Sequence, residues 1–293
     1  MSEVATRIVE DLKAFWDHYD EHREEFIRNF SDVVGQKIDE LMMPHQRELY
    51  GFSTAGGCIR ANYLRKQYPE HQDLRYWDYH TFFLGHLIEV TAIASLKALG
   101  YDVRDMQKEV CIPPYMRSQI DGIITVNDQD YVLSIKSTSY KASTFSKGKN
   151  VRKGFAALPF EGILGNPTHY AQIQLEMYAL GVPRGIYLVV AKDVIKAYRD
   201  DQWMQSLVWY AEEVPLSRWW VEDILLPPLH EAYASGNLPS EALYMVPGDS
   251  KGKLPRWVLL STAEPNEGGE NKRLVGFNPC SYCDVFDICS SLT

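Results

Sequence analysis

Four of the five cysteines stand where a single centre could use them: Cys58 early in the 293-residue chain, and Cys280, Cys283 and Cys289 at its end in a C-x2-C-x5-C run. More than two hundred residues separate Cys58 from that run. A centre taking all four thiolates would bring both ends of the chain together beside whatever fold lies between. One domain over residues 1–293 is therefore expected, with a helical N-terminal segment (1–52), a core (53–200), a helical and loop region (201–279) and a cysteine tail (280–293). Tetrahedral four-thiolate geometry suits zinc or an iron–sulfur cluster, and the spacing alone leaves both open. Cys111, in the strand-like KEVCIP, is expected to be a buried core thiol.

No apolar run approaches the roughly 20 residues that span a bilayer, and the first residues, MSEVATRIVEDLK, carry acids where a signal peptide has an apolar stretch. A cytoplasmic protein is expected, in a compartment where clustered thiols more often bind metal than form disulfides. Net charge is −9, so the whole chain does not advertise nucleic-acid binding. Its distribution says more. Residues 131–160 hold six basic side chains (Lys136, Lys141, Lys147, Lys149, Arg152 and Lys153) and no acid. Such a stripe on an acidic protein can bind phosphates while the remaining surface keeps the chain soluble.

Apolar spacing predicts helix over 4–47, broken by residues 51–57, then a short basic helix over 58–67 and a stronger one over 81–99 that Gly100 ends. Strands are predicted at 107–112, 117–126 and 131–137, with residues 127–130 as a hairpin turn. A loop over 139–167 leads to a helix at 168–180, a strand at 185–191 and a paired strand at 195–199. Helix is predicted again over 202–235, interrupted at Pro227 and Pro228, with loop over 247–271. The order gives an α/β fold: a mixed sheet flanked by helices. The stretch 248–253 (GDSKGK) is one residue short of a phosphate-binding Walker loop and lacks its Ser or Thr, so no helicase motor is encoded.

Magnesium and manganese take oxygen ligands, so a site for them needs two or three acids on rigid elements aimed at one point. Glu89 lies on the helix over 81–99 with His86 one turn earlier, and the two can share a face. Asp121 falls in the second strand. Lys136, two residues beyond Ser134, shares its sheet face, at the same end as Asp121 if the two strands pair as a hairpin. Gln174 and Tyr178 stand at i and i+4 on the next helix. Each residue alone would pass for ordinary surface or turn; their order along helix, strand, strand and helix carries the reading.

That order, G85-H-L-I-E89, Q119-I-D121-G, S134-I-K136 and Q174-L-E-M-Y178, resembles the RecB-like branch of the PD-(D/E)XK nucleases. The cysteine frame is similar to that of its iron–sulfur members, including CRISPR-associated ones. The resemblance covers residues 53–200, taken as the nuclease core, and 280–289. It implies a restriction-endonuclease-like fold with Glu89, Asp121 and the Ile135 carbonyl binding Mg²⁺ or Mn²⁺, Lys136 orienting the attacking water, and Gln174 and Tyr178 positioning phosphate. It also implies a [4Fe–4S] cluster on Cys58, Cys280, Cys283 and Cys289. The expected activity is a metal-dependent DNA exonuclease of recombination, repair, phage replication or CRISPR adaptation, with partner proteins from those processes. Lys141, Lys147, Lys149, Arg152 and Lys153 are then candidates for gripping the DNA. One position departs: the family places Glu or Asp where this chain has Ser134. The hydroxyl is a weaker ligand for a hard cation, so cleavage is expected to be weakened or lost unless His86 or another acid compensates. The alternatives are a DNA-binding pseudonuclease that keeps the groove without cutting, and a zinc-stapled binding protein.

Overall fold

A computed structural model describes residues 2–42, 50–69, 76–146, 149–191, 209–249, 251–259 and 283–291. It is an α/β fold built on a five-stranded sheet. The helices are α1 (Glu3–Asp17), α2 (Tyr19–Met42), α3 (Ile59–Gln67), α4 (Tyr76–Ala98), α5 (Leu158–Glu161), α6 (Pro167–Leu180), α7 (Leu226–Ala234) and α8 (Phe286–Ser291). The five strands are β2 (Asp102–Arg104), β5 (Gly122–Val126), β6 (Gln129–Thr138), β9 (Arg184–Ala191) and β10 (Trp209–Pro215), in the order β10-β9-β6-β5-β2. Only β6 and β9 run parallel; the other neighbours are antiparallel. A smaller sheet joins β1 (Tyr50–Gly51), β4 (Met116–Gln119) and β3 (Glu109–Ile112) in the order β1-β4-β3. Two hairpins complete the strands: β7 (Tyr140–Ser146) with β8 (Lys149–Gly154), and β11 (Leu243–Val246) with β12 (Arg256–Leu259).

Side chains alternate across a strand, and the alternation here separates two apolar layers. Tyr131, Leu133 and Ile135 of β6, with Ile186, Leu188 and Val190 of β9, pack against Ile8 and Leu12 of α1, Val33 of α2 and Ile93 and Leu96 of α4. Val132, Tyr187 and Val189 pack on the other face against Ile173, Leu175 and Met177 of α6. Ser134 and Lys136 therefore share the α6 face with Val132. A one-residue slip of β6 would put Lys136 into the apolar α4 layer and take Tyr131, Leu133 and Ile135 out of it. Register thus fixes the site.

Helix α6 returns the chain from β6 to β9. Asn166 caps it by accepting from the His169 N–H at 3.2 Å, Pro167 fills its first turn, and Gly181 ends it in the left-handed region at φ 68°. Asn127 and Asp128, at φ 51° and 58°, make the two-residue turn between β5 and β6.

The structure corrects several sequence expectations. The first helix is two, parted at His18, and Phe15, Trp16, Tyr19 and Phe26 form an aromatic cluster across the break. Residues 117–126 divide into β4 and β5, which belong to different sheets. The expected loop over 139–167 contains the β7–β8 hairpin and α5. Residues 209–215, expected in helix, form β10 and pair with β9; residues 195–199 lie outside the described residues. Pro227 and Pro228 do not interrupt a helix: they open α7, directly after a π-helical segment at Trp220–Leu225. The expected loop over 247–271 includes β12. Cys111 is exposed, because Val110 takes the inward position of β3. Among the described residues no helix is long and apolar enough to cross a membrane.

Candidate active site

The β5–β6 hairpin sets the centre of the site. Gly122 pairs with Leu133, so Asp121 stands one step earlier, beside Ser134. Its Oδ2 accepts from the Ile135 N–H at 2.6 Å, which fixes the carboxylate against the neighbouring strand. Lys136 Nζ lies 3.7 Å from the same oxygen, and both side chains are more than four-fifths buried. Helix α4 supplies Glu89, whose side chain is only 11% exposed. The Lys37 ammonium, from α2, pairs with Glu89 Oε1; the Gln107 amide lies 3.4 Å from that oxygen, and His86 Nδ1 is 3.6 Å from Oε2. Helix α6 supplies Glu176, 1% exposed, whose Oε1 accepts from Gln172 Nε2 at 2.8 Å and from Ser118 Oγ at 3.4 Å. Among the described residues, Glu176 Oε2 and Ser134 Oγ are buried with no hydrogen-bond partner.

These charges act on one another strongly because little water screens them. Burial works against the Lys136 ammonium, but attraction from Asp121, Glu176 and Glu89 outweighs it and keeps the group charged. Burial and the nearby Glu89 raise the Asp121 carboxyl to about 6, although Lys136, Lys37 and the Ile135 N–H pull the other way. Burial opposes ionisation of Glu89 too; the His86 hydrogen bond and the Lys37 charge overcome it and hold the carboxyl down at about 2. Glu176, buried deepest, is pushed up to about 8 by desolvation despite attraction from Lys136. His169, on the same helix, is forced down to about 3 by burial and by Lys136, and its Nδ1 meets the Tyr187 hydroxyl at 2.6 Å. The arrangement is two ammonium groups, Lys37 and Lys136, among three buried carboxyls, two of which, Asp121 and Glu176, burial raises.

The expected Glu89, Asp121, Ser134, Ile135 and Lys136 thus come together, with His86 reaching them through Glu89. Ile135 takes part through its N–H. Gln174 and Tyr178 turn elsewhere. Gln174 is fully buried; its amide donates to the Pro215 carbonyl at 2.8 Å and accepts from the Ser217 N–H at 2.8 Å, tying α6 to the chain leaving β10. Tyr178 lies under the Arg218 guanidinium at 5.7 Å, and burial with a hydrogen bond to Glu222 raises its hydroxyl. The face of α6 toward the acids carries His169, Gln172 and Glu176 instead. Sequence reasoning missed these residues and Lys37. Polar side chains at positions 169, 172 and 176, three and four residues apart and so on one side of α6, were the available signal.

Of the cysteine frame, Cys58 is the N-cap residue of α3, Cys283 precedes α8 and Cys289 lies within it; Cys280 is outside the described residues. Helix α8 packs on α3, where Arg60 Nη2 donates to the Cys289 carbonyl at 3.3 Å and Arg65 pairs with Asp284 at 2.6 Å. The Arg65 charge is felt by both the Cys58 and the Cys283 thiols. Among the described residues no three His, Cys, Asp or Glu side chains stand close enough together to hold a metal ion as they are. The basic stripe falls on the β7–β8 hairpin: Lys141 pairs with Lys153 across it, and Lys149 and Arg152 lie along β8. Lys147 is outside the described residues.

No family model and no curated protein matches the chain. A solved structure described as "Crystal structure of SSO0001" is similar at 15% identity and a TM-score of 0.37, over 64% of this chain and 78% of that one. A likeness that loose carries no inference.

Proposed function

We propose that this chain is a divalent-metal-dependent deoxyribonuclease with a restriction-endonuclease-like core. It hydrolyses phosphodiesters at DNA ends or in single strands. The observation that carries the reading is the Lys136 ammonium held among buried carboxylates that arrive from α4, from the start of β5 and from α6. The carboxylates and the Ile135 carbonyl offer oxygen donors, which suit Mg²⁺ or Mn²⁺. Burial first and repulsion from Glu89 second raise Asp121, and among the described residues Glu176 Oε2 is buried without a hydrogen-bond partner; a cation bound there would relieve both. Glu89 and Asp121 would hold the ion, with the Ile135 carbonyl and His86 beside them. The metal supplies a Lewis acid and a hydroxide source near neutral pH. The chain's own part is positional: the Ile135 N–H locks Asp121, Lys37 and His86 lock Glu89, and Lys136 offers a fixed positive charge to a phosphate oxygen or the attacking water.

The basic hairpin follows directly after the strand that bears Lys136, which suits a backbone grip on DNA through Lys141, Lys147, Lys149, Arg152 and Lys153. Cys58, Cys280, Cys283 and Cys289 would hold a [4Fe–4S] cluster with a structural role, and the packing of α8 on α3 supports that frame. Ser134 favours a second reading, a pseudonuclease that binds DNA without cutting.

The test is digestion of end-labelled single- and double-stranded DNA with Mg²⁺ or Mn²⁺, comparing the protein with Asp121→Asn. Metal-dependent product lost by about 100-fold or more in the variant, with DNA binding kept, supports the nuclease. Salt-dependent binding without product from either protein selects the pseudonuclease. Neither binding nor product overturns both readings.

A further inference from the structure

Strand register draws a polar row across the α6 face of the sheet. Asp121 stands beside Ser134, Ser134 pairs with Tyr187, and Tyr187 pairs with Glu212 of β10. Residues directly opposite on neighbouring strands share a face. The far end of the row is closed, because Glu212 Oε2 accepts from the Ile163 N–H at 2.7 Å and from the Tyr210 hydroxyl at 2.8 Å. His169, in the first turn of α6, covers the middle: its ring centroid lies 5.6 Å from that of Tyr187, and its Nδ1 lies 2.6 Å from the phenol oxygen. The Lys136 ammonium is the charge that acts on this ring.

That contact decides which ring nitrogen carries the proton. Tyr187 is 1% exposed and burial raises its hydroxyl, so the phenol keeps its proton and needs an acceptor for it. Among the described residues the acceptor is His169 Nδ1. Burial and Lys136 keep the imidazole neutral, so its one proton lies on Nε2. Among the described residues Nε2 meets no partner, and it is not one of the buried polar atoms left unsatisfied; it is open to solvent.

We infer that His169 is a phosphate-binding residue: its Nε2–H donates to an oxygen of the DNA backbone that the Lys136 ammonium also attracts, and Tyr187 is the positioning residue that fixes the donor. The inference rests on DNA being the substrate, which the nuclease and pseudonuclease readings share. A hydrogen bond from a neutral ring needs no added proton. The contact therefore persists through pH 6.5, the ordinary imidazole value, where a contact made by a charged histidine would fade.

The test measures binding of fluorescein-labelled oligothymidine to the full-length protein by anisotropy, without Mg²⁺ or Mn²⁺ so that the strand stays whole. It compares the parent with His169→Asn, His169→Gln, Tyr187→Phe and the double variant His169→Gln/Tyr187→Phe, each checked for fold by circular dichroism. An Asn amide matches the place of Nδ1, so it keeps an acceptor for Tyr187 and loses the outer donor. A Gln amide matches the place of Nε2 and keeps that donor. The expected result is affinity lowered by roughly 10- to 100-fold in His169→Asn, the scale of a hydrogen bond to a charged group, and largely kept in His169→Gln. Tyr187→Phe should weaken binding in the parent but not in the His169→Gln background, where no tautomer has to be fixed. Parent affinity should show no step near pH 6.5. His169→Asn binding as the parent does, or His169→Gln losing as much as His169→Asn, overturns this inference alone. No binding of the oligonucleotide by the parent overturns the DNA reading beneath it.

Discussion

Replacing Lys37 by methionine tests the electrostatic frame most directly. The Lys37 ammonium is 1% exposed and its partner Glu89 11% exposed, so this ion pair is unlike a surface pair worth 0–1 kcal/mol. Removing one partner of a buried pair leaves a charge without compensation and costs about 3–5 kcal/mol. Here Glu89 keeps His86 at 3.6 Å and Gln107 at 3.4 Å, which places the expected loss near the lower end, about 3 kcal/mol. Urea denaturation of the metal-free protein at pH 7, followed by tryptophan fluorescence, measures it. The sign with pH follows from linkage. Glu89 is held at about 2 when folded, below its ordinary 4.5, so its contribution is fully present above 4.5 and is lost as pH falls toward 2. In Lys37→Met the folded value rises, Glu89 takes up a proton sooner, and the gap between variant and parent narrows as pH drops through 4.5. Adding Glu89→Gln should restore stability to within about 1 kcal/mol of the parent. A single variant within about 0.5 kcal/mol of the parent at pH 7, or a gap that stays flat with pH, refutes the reasoning.

Three further outcomes are expected. Glu176, pushed up to about 8 from 4.5, holds its proton in the folded state, so without metal its contribution is fully present below pH 4.5 and declines as pH rises to 8. Glu176→Gln should flatten that decline in thermal melts at pH 5 and 8; unchanged slopes count against it. Gln174→Ala orphans the Pro215 carbonyl and the Ser217 N–H and should destabilise by about 2–3 kcal/mol in urea while Mn²⁺ affinity holds; cleavage lost at unchanged stability would instead give Gln174 a substrate role. Protein purified anaerobically should be brown with a broad visible absorbance that Cys289→Ser abolishes; a colourless protein containing zinc would replace the iron–sulfur assignment.

The elements that sequence revealed are those whose periodicity or caps are local. Helix α6 carried Asn166 and Pro167 at one end and Gly181 at the other, and the β5–β6 turn carried Asn127 and Asp128. The failures have physical causes. Helices α1 and α2 meet at His18 without a glycine or proline, because aromatic packing rather than a breaker residue sets the bend. Strand β10 reads as helix because Glu212 and Glu213 are adjacent; in the fold Glu212 accepts from the Ile163 N–H at 2.7 Å and Glu213 pairs with Arg184 at 2.6 Å, both supplied by distant segments. The basic stripe was legible as charge but not as a hairpin, since Lys and Ser give no apolar alternation to read. Lys37 could not be distinguished from surface lysines, because its burial depends on where α4 lies.

The site follows the same logic on a smaller scale. Asp121, Lys136 and Glu89 were found because their order along helix, strand and strand matched a motif; β6 is buried on both faces and offered no single inward face to read. Helix α6 has none, being buried almost all round from Pro167 to Met177, so amphipathicity could not choose between its sides. The four-residue spacing of Gln174 and Tyr178 matched one motif, yet Gln172 and Glu176 have the same spacing two residues earlier. Two residues turn a helix by about 200°, so the two pairs lie on opposite sides. One side ties α6 to the chain after β10 and the other meets Lys136. Serine at position 134 was visible in the sequence as a missing charge. Glu176 was hidden because only the packing of α6 in the fold turns that side of the helix toward Lys136.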